Sequence, residues 1–81
     1  MIEVKVLKTP GCGHCAMVMK ELEELKEEFD LNIVEVDVAA HPEEAMKYGV
    51  MVSPGIVING KLATQGGVSK EELRKKLEEL G

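Results

Sequence analysis

Ile2, Val4 and Val6 alternate with Glu3 and Lys5 before Leu7 closes the run. Period-two alternation predicts a half-buried strand over residues 2–7. Thr9-Pro10-Gly11 then breaks the strand and turns the chain. From about Gly13 to Phe29 the spacing becomes helical. Cys15, Val18, Met19, Leu22, Leu25 and Phe29 share one face, while Lys20, Glu23, Glu24 and Glu27 face water. Residues 32–38, NIVEVDV, read as a second strand. Pro42-Glu43-Glu44 opens a short helix, with Pro suited to the first turn and acids to its positive end, and Gly49 closes it. GIVIN (55–59) and KLAT (61–64) flank Asn59-Gly60, a pair that tolerates positive φ and favours a tight type I′ hairpin. Ser69-Lys70-Glu71-Glu72 forms a capping box that starts a last helix, with Leu73, Leu77 and Leu80 inward.

The predicted order is β-α-β-α-β-β-α. A helix joins the first two strands, so they are expected to run parallel through a right-handed crossover. The last two strands form an antiparallel hairpin. An α/β fold follows, with a four-stranded mixed sheet and helices on both faces.

Composition narrows the partners. The chain has 81 residues and a net charge of −5, which suits one domain, residues 1–81, near the lower size limit for unaided folding. Phe29 and Tyr48 are its only aromatic residues, so Val, Ile, Leu and Met must fill the core. Lys and Arg are scattered, which argues against nucleic acid or an anionic membrane as partner. No apolar stretch approaches the roughly 20 residues of a membrane span. Met1 to Val4 begins a strand without a basic and then apolar leader. A cytoplasmic location and a monomer are therefore expected. In that compartment a close cysteine pair is catalytic or metal-binding rather than a structural bridge.

The only two cysteines, Cys12 and Cys15, flank Gly13-His14 in TPGCGHCAMV. Cys12 falls at the helix start and Cys15 one turn in. Positions three apart on a helix are neighbours, near enough for a disulfide. Cys15 shares the apolar face and should be sheltered, while Cys12 stays reachable. Unpaired N–H groups at the helix start favour the Cys12 thiolate, and His14 adds to this. A stabilised thiolate makes the disulfide a stronger oxidant. The leading reading is a thiol–disulfide oxidoreductase: Cys12 exchanges with a substrate disulfide and Cys15 resolves the mixed disulfide. The alternative is a carrier holding Cu(I) or Zn(II) through two thiolates. A structural zinc site would need four ligands, and only His14 and His41 remain to supply them.

Cys12-Gly13-His14-Cys15 matches the active-site tetrapeptide of protein disulfide isomerase domains, and the surrounding frame resembles the thioredoxin/glutaredoxin superfamily, specifically its small glutaredoxin-like archaeal and bacterial members, over nearly the whole chain. The resemblance implies a thioredoxin-like fold. KYGVMVSPGIVING (47–60) is similar to the segment in which that family carries a cis-proline, which makes Pro54 the cis-proline and leaves the Ser53 backbone to pair with a bound substrate strand. GGVSKEEL (66–73) resembles the stretch whose glycine pair, here Gly66 and Gly67, helps form the glutathione site of glutaredoxins. The implied partners are protein disulfides and a thioredoxin- or glutaredoxin-type reductase as electron donor. Apart from the redox-active disulfide, no cofactor and no metal are implied.

The departures carry information too. The family's Trp before the first cysteine is Gly11, and its buried proton-transferring acid six residues before that cysteine is Val6. Resolution by Cys15 must find another base, water or His14. The Thr common after the cis-proline is Gly55, which predicts a looser substrate groove. The glutaredoxin acid after the glycine pair is replaced by Val68-Ser69-Lys70, which argues against glutathione as cofactor or substrate. Lys8 is expected as a solvated lysine, with a charge contribution to the active-site rim as the alternative. The Gly-His dipeptide points to a moderately oxidising couple and the cytoplasmic setting to a reductase role, so direction stays open.

Overall fold

Alternation puts Val4 and Val6 on one side of the first strand and Lys5 and Leu7 on the other, and this division organises the fold. The computed structural model describes all residues, Met1–Gly81. Its elements are β1 (Ile2–Lys8), α1 (Gly13–Leu25), β2 (Leu31–Asp37), α2 (Pro42–Tyr48), β3 (Gly55–Ile58), β4 (Lys61–Gln65) and α3 (Lys70–Leu80). The sheet order is β2-β1-β3-β4. β1 and β2 run parallel, with Val4 opposite Ile33 and Val6 opposite Glu35. β3 runs antiparallel to both β1 and β4. The expected mixed four-stranded sheet is therefore present.

Val4, Val6, Ile56 and Ile58 pack under Val18, Leu22 and Leu25 of α1 and Leu73 and Leu77 of α3, forming a buried cluster of ten residues with Leu31. On the opposite face Leu7 and Val57 are buried, but α2 contributes no fully buried residue. A polar contact holds it instead. Lys5 Nζ donates to Glu44 Oε1 at 3.0 Å and to the Tyr48 hydroxyl at 3.1 Å.

α1 ends earlier than its periodicity predicts. The expectation ran to Phe29, whereas the regular helix stops at Leu25. The Lys26 N–H is shared between the Leu22 and Glu23 carbonyls, and Glu27 and Glu28 bond three residues back, to Glu24 and Leu25. The last turn has tightened from i−4 to i−3 pairing. Phe29 stays half-buried against the core, and Arg74 of α3 grips Glu28 through Nε at 2.9 Å and Nη2 at 2.8 Å.

Local signals elsewhere are realised. Asn59 and Gly60 both have positive φ, 48° and 85°, and Gly49 caps α2 in the left-handed conformation. Ser69 Oγ accepts the Glu72 N–H at 3.2 Å, the Ser half of the capping box.

Candidate active site

Gly11, at φ +77°, turns the chain out of β1, and the Cys12 N–H returns to the Thr9 carbonyl at 3.3 Å. Cys12 then takes extended backbone angles as the N-cap of α1 and places Cys15 one turn in. The two cysteines form a disulfide with a Cα–Cα separation of 5.4 Å. Their exposure is unequal: Cys12 is half-buried, and Cys15 is 5% exposed among Val18 and Leu22 of the same helix face. No side chain caps the helix start, and its first turn contains no acid. The positive end of the helix therefore acts on the Cys12 sulfur without a carboxylate from its own first turn to oppose it.

Ser53 and Pro54 are joined by a cis peptide bond, as expected. Pro54 is fully buried, and its carbonyl accepts the Gly66 N–H at 2.9 Å. Gly66 has φ +81°, a conformation that favours glycine. A Cβ on Gly67 would lie 3.3 Å from Nδ1 of His14. Pro54, Gly66, Gly67 and His14 thus form one continuous set of contacts running up to the cysteine loop. The main chain of Ser53 is engaged by no other residue of the chain.

One expectation is corrected. Gly55 does not loosen this region. A Cβ there would lie 2.7 Å and 2.8 Å from the Val50 methyls, so the Val50 side chain fills the space a larger residue would take. Lys8 lies on the rim with its side chain partly in water, and its Nζ donates to Glu35 Oε1 at 2.8 Å. Sequence reasoning also missed Gln65, whose Oε1 accepts the N–H groups of Met51 (2.7 Å) and Val52 (3.2 Å) and ties the segment before the cis-proline to β4. No local pattern marks that residue.

Beside the disulfide, on the side of α1 and the ends of β1 and β2, lies a cavity of about 640 Å³. Lys8, Cys12, Cys15, Met19, Glu35 and Asp37 are among its walls. His14 is not. It lies exposed beside Gly67. The chain brings no three Cys, His, Asp or Glu side chains into a metal-ligating group. His41 instead lies at the start of α2 beside Glu43, so the four-ligand zinc reading has no ligand set.

Comparison with known proteins agrees with this geometry. Residues 2–78 match the family model described as a thioredoxin domain. A probable thioredoxin from Methanothermobacter thermautotrophicus is 33% identical over 75 residues, covering 90% of this chain and 88% of that protein. A thioredoxin from Methanocaldococcus jannaschii is 32% identical over 74 residues, covering 89% and 87%. The oxidised mitochondrial thioredoxin 3 of Saccharomyces cerevisiae superposes with a TM-score of 0.79 at 26% identity, covering 98% of this chain and 78% of that one. With its bridged cysteine pair at a helix start in this fold, the chain belongs to the thioredoxin family and is a thiol–disulfide oxidoreductase.

Proposed function

We propose that Cys12 is the sulfur that exchanges with protein disulfides and that Cys15 resolves the mixed disulfide. The unequal burial of the two sulfurs at an uncapped helix start carries this reading. In the reducing direction the Cys12 thiolate attacks one substrate sulfur, and the other leaves as a thiol after taking a proton. The Cys15 thiolate then attacks Cys12, the bond from Cys12 to the substrate breaks, and the pair ends oxidised. A reductase of thioredoxin or glutaredoxin type restores the dithiol.

His14, two residues after Cys12 in the first turn of α1 and packed against Gly67, is the side chain we assign to supporting the Cys12 anion. Ser53 offers free main-chain groups for a substrate strand next to Pro54, and Gly66, bonded to the Pro54 carbonyl, and Gly67, against His14, border the same segment. Val52, exposed and close to Gly66, gives the rim an apolar contact for peptide side chains. The protein acts as a monomer in the cytoplasm, without glutathione or another cofactor. Its only cysteines are the exchanging pair, which leaves none for structural bridges.

Reduction of insulin by dithiothreitol tests the assignment. Wild-type protein accelerates it and Cys12→Ser does not, while Cys15→Ser accumulates a mixed disulfide. Alkylation of the reduced protein labels Cys12 first. Faster labelling of Cys15 reverses the two roles.

A further inference from the structure

Cys15 must lose a proton before it attacks, and its burial disfavours the thiolate. The core offers no base to do this, since no polar or charged residue is fully buried and Val6 occupies the inward position on β1 beneath α1. In the parallel β1–β2 register, however, Val6 stands opposite Glu35. The acid absent from the central strand is therefore present one strand over, on the same face of the sheet. Glu35 and Cys15 share the cavity beside the disulfide.

We propose that Glu35 accepts the proton of Cys15 through water in this cavity and returns it when the pair is reduced. This assignment rests on the role given to Cys15 above. A space of about 640 Å³ far exceeds the roughly 30 Å³ that one water occupies in the liquid. Glu35 Oε1 accepts from Lys8 Nζ at 2.8 Å, which positions the carboxylate on the cavity wall, and Oε2 has no partner within the chain. The other carboxylate there, Asp37, is already engaged: its Oδ1 accepts the Ala39 N–H at 2.9 Å. The titratable and charged groups facing Glu35 are Lys8 from β1, Asp37 from β2 and the two cysteines from the start of α1. The remaining walls are uncharged, among them Met19 and Ala16 of α1.

In the step itself, the proton passes from Cys15 Sγ to the Glu35 carboxylate. The resulting thiolate bonds to Cys12 Sγ while the substrate sulfur leaves with the electron pair of the old bond and is protonated from solvent. The cysteine pair is oxidised by two electrons and the substrate disulfide is reduced by the same two. Glu35 then gives its proton to cavity water and takes one back from that water before the reverse step, in which it protonates Cys15.

Stopped-flow reaction of the reduced protein with excess dithiobis(nitrobenzoate) separates capture from resolution. Cys12 releases the first nitrothiobenzoate and Cys15 the second. Glu35→Gln keeps the first phase and slows the second about tenfold or more near pH 6 to 7, with the deficit closing at alkaline pH, where Cys15 ionises unaided. Glu35→Asp recovers part of the rate, and Asp37→Asn retains the wild-type second phase. A Glu35→Gln second phase equal to wild type at every pH, or slower by one constant factor at every pH, overturns the assignment. Wild-type protein lacking a second phase overturns the role of Cys15 and this proposal together, whereas a biphasic wild type with an unaffected Glu35→Gln removes Glu35 alone.

Discussion

The two faces of the sheet are built from different interactions. Under α1 and α3 the contact is apolar, with Val4, Val6, Leu22, Leu25, Ile56, Ile58, Leu73 and Leu77 all at or near complete burial. Under α2 it is sparse, with Leu7 and Val57 buried in the sheet and a lysine, a glutamate and a tyrosine making the bridge. The packed face holds the helix that carries Cys15, so the sulfur proposed to resolve the mixed disulfide sits on a helix whose Val18, Leu22 and Leu25 are buried. The other face leads through Val50 into the cis-proline segment, where substrate contact is proposed.

Substitutions can break or sharpen this contrast. The largest effect is expected from Leu77→Ala, which empties a site that is 1% exposed; denaturant unfolding should show a loss of about 2–5 kcal/mol. Gly55→Ala comes next. Its new methyl runs into Val50, whose branched side chain has little freedom to move, and overpacking of this kind costs about 1–3 kcal/mol. Because Val50 precedes the docking segment, insulin reduction should fall with stability in Gly55→Ala, whereas Leu77→Ala should keep its activity at temperatures where it remains folded.

Lys5→Met is the mildest of the three and is read by its pH dependence. The hydrogen bond from Lys5 holds the Glu44 carboxyl below its ordinary value of 4.5. Protonating Glu44 gives up that bond. The stability it contributes is complete above about pH 4.5 and is lost as pH falls through the lower folded value. Lys5→Met flattens this part of the acid limb. The Glu28 carboxyl, held low first by its hydrogen bond from Arg74, keeps its own share of the slope in that variant. Leu77→Ala lowers the whole curve without changing its shape. Equal losses from Leu77→Ala and Lys5→Met at neutral pH would show that the two faces do not differ as described.

Much of the fold was legible because its signals are local. Alternation in residues 2–7, the Asn59-Gly60 turn and Ser69 as a cap each act within a few residues, and each is present. The end of α1 was misjudged because Phe29 keeps its apolar phase after the helix tightens, so hydrophobic spacing alone does not reveal the change in hydrogen bonding. At the site, the cysteine pair and Pro54 were visible as a motif. Glu35 was not, although alternation puts it on the same face as Ile33. Its place depends on the parallel register with Val6.

The sequence by itself determined the order of elements, the helix start beneath Cys12 and the unequal shelter of the two sulfurs, because period, turn chemistry and capping are short-range properties of the chain. Tertiary structure alone decided that Val50 fills the space beside Gly55, that Gln65 ties down Met51 and Val52, and that Glu35 and Lys8 meet beside Cys15. Those contacts join residues distant along the chain, and only the registered sheet with its packed helices brings them within reach.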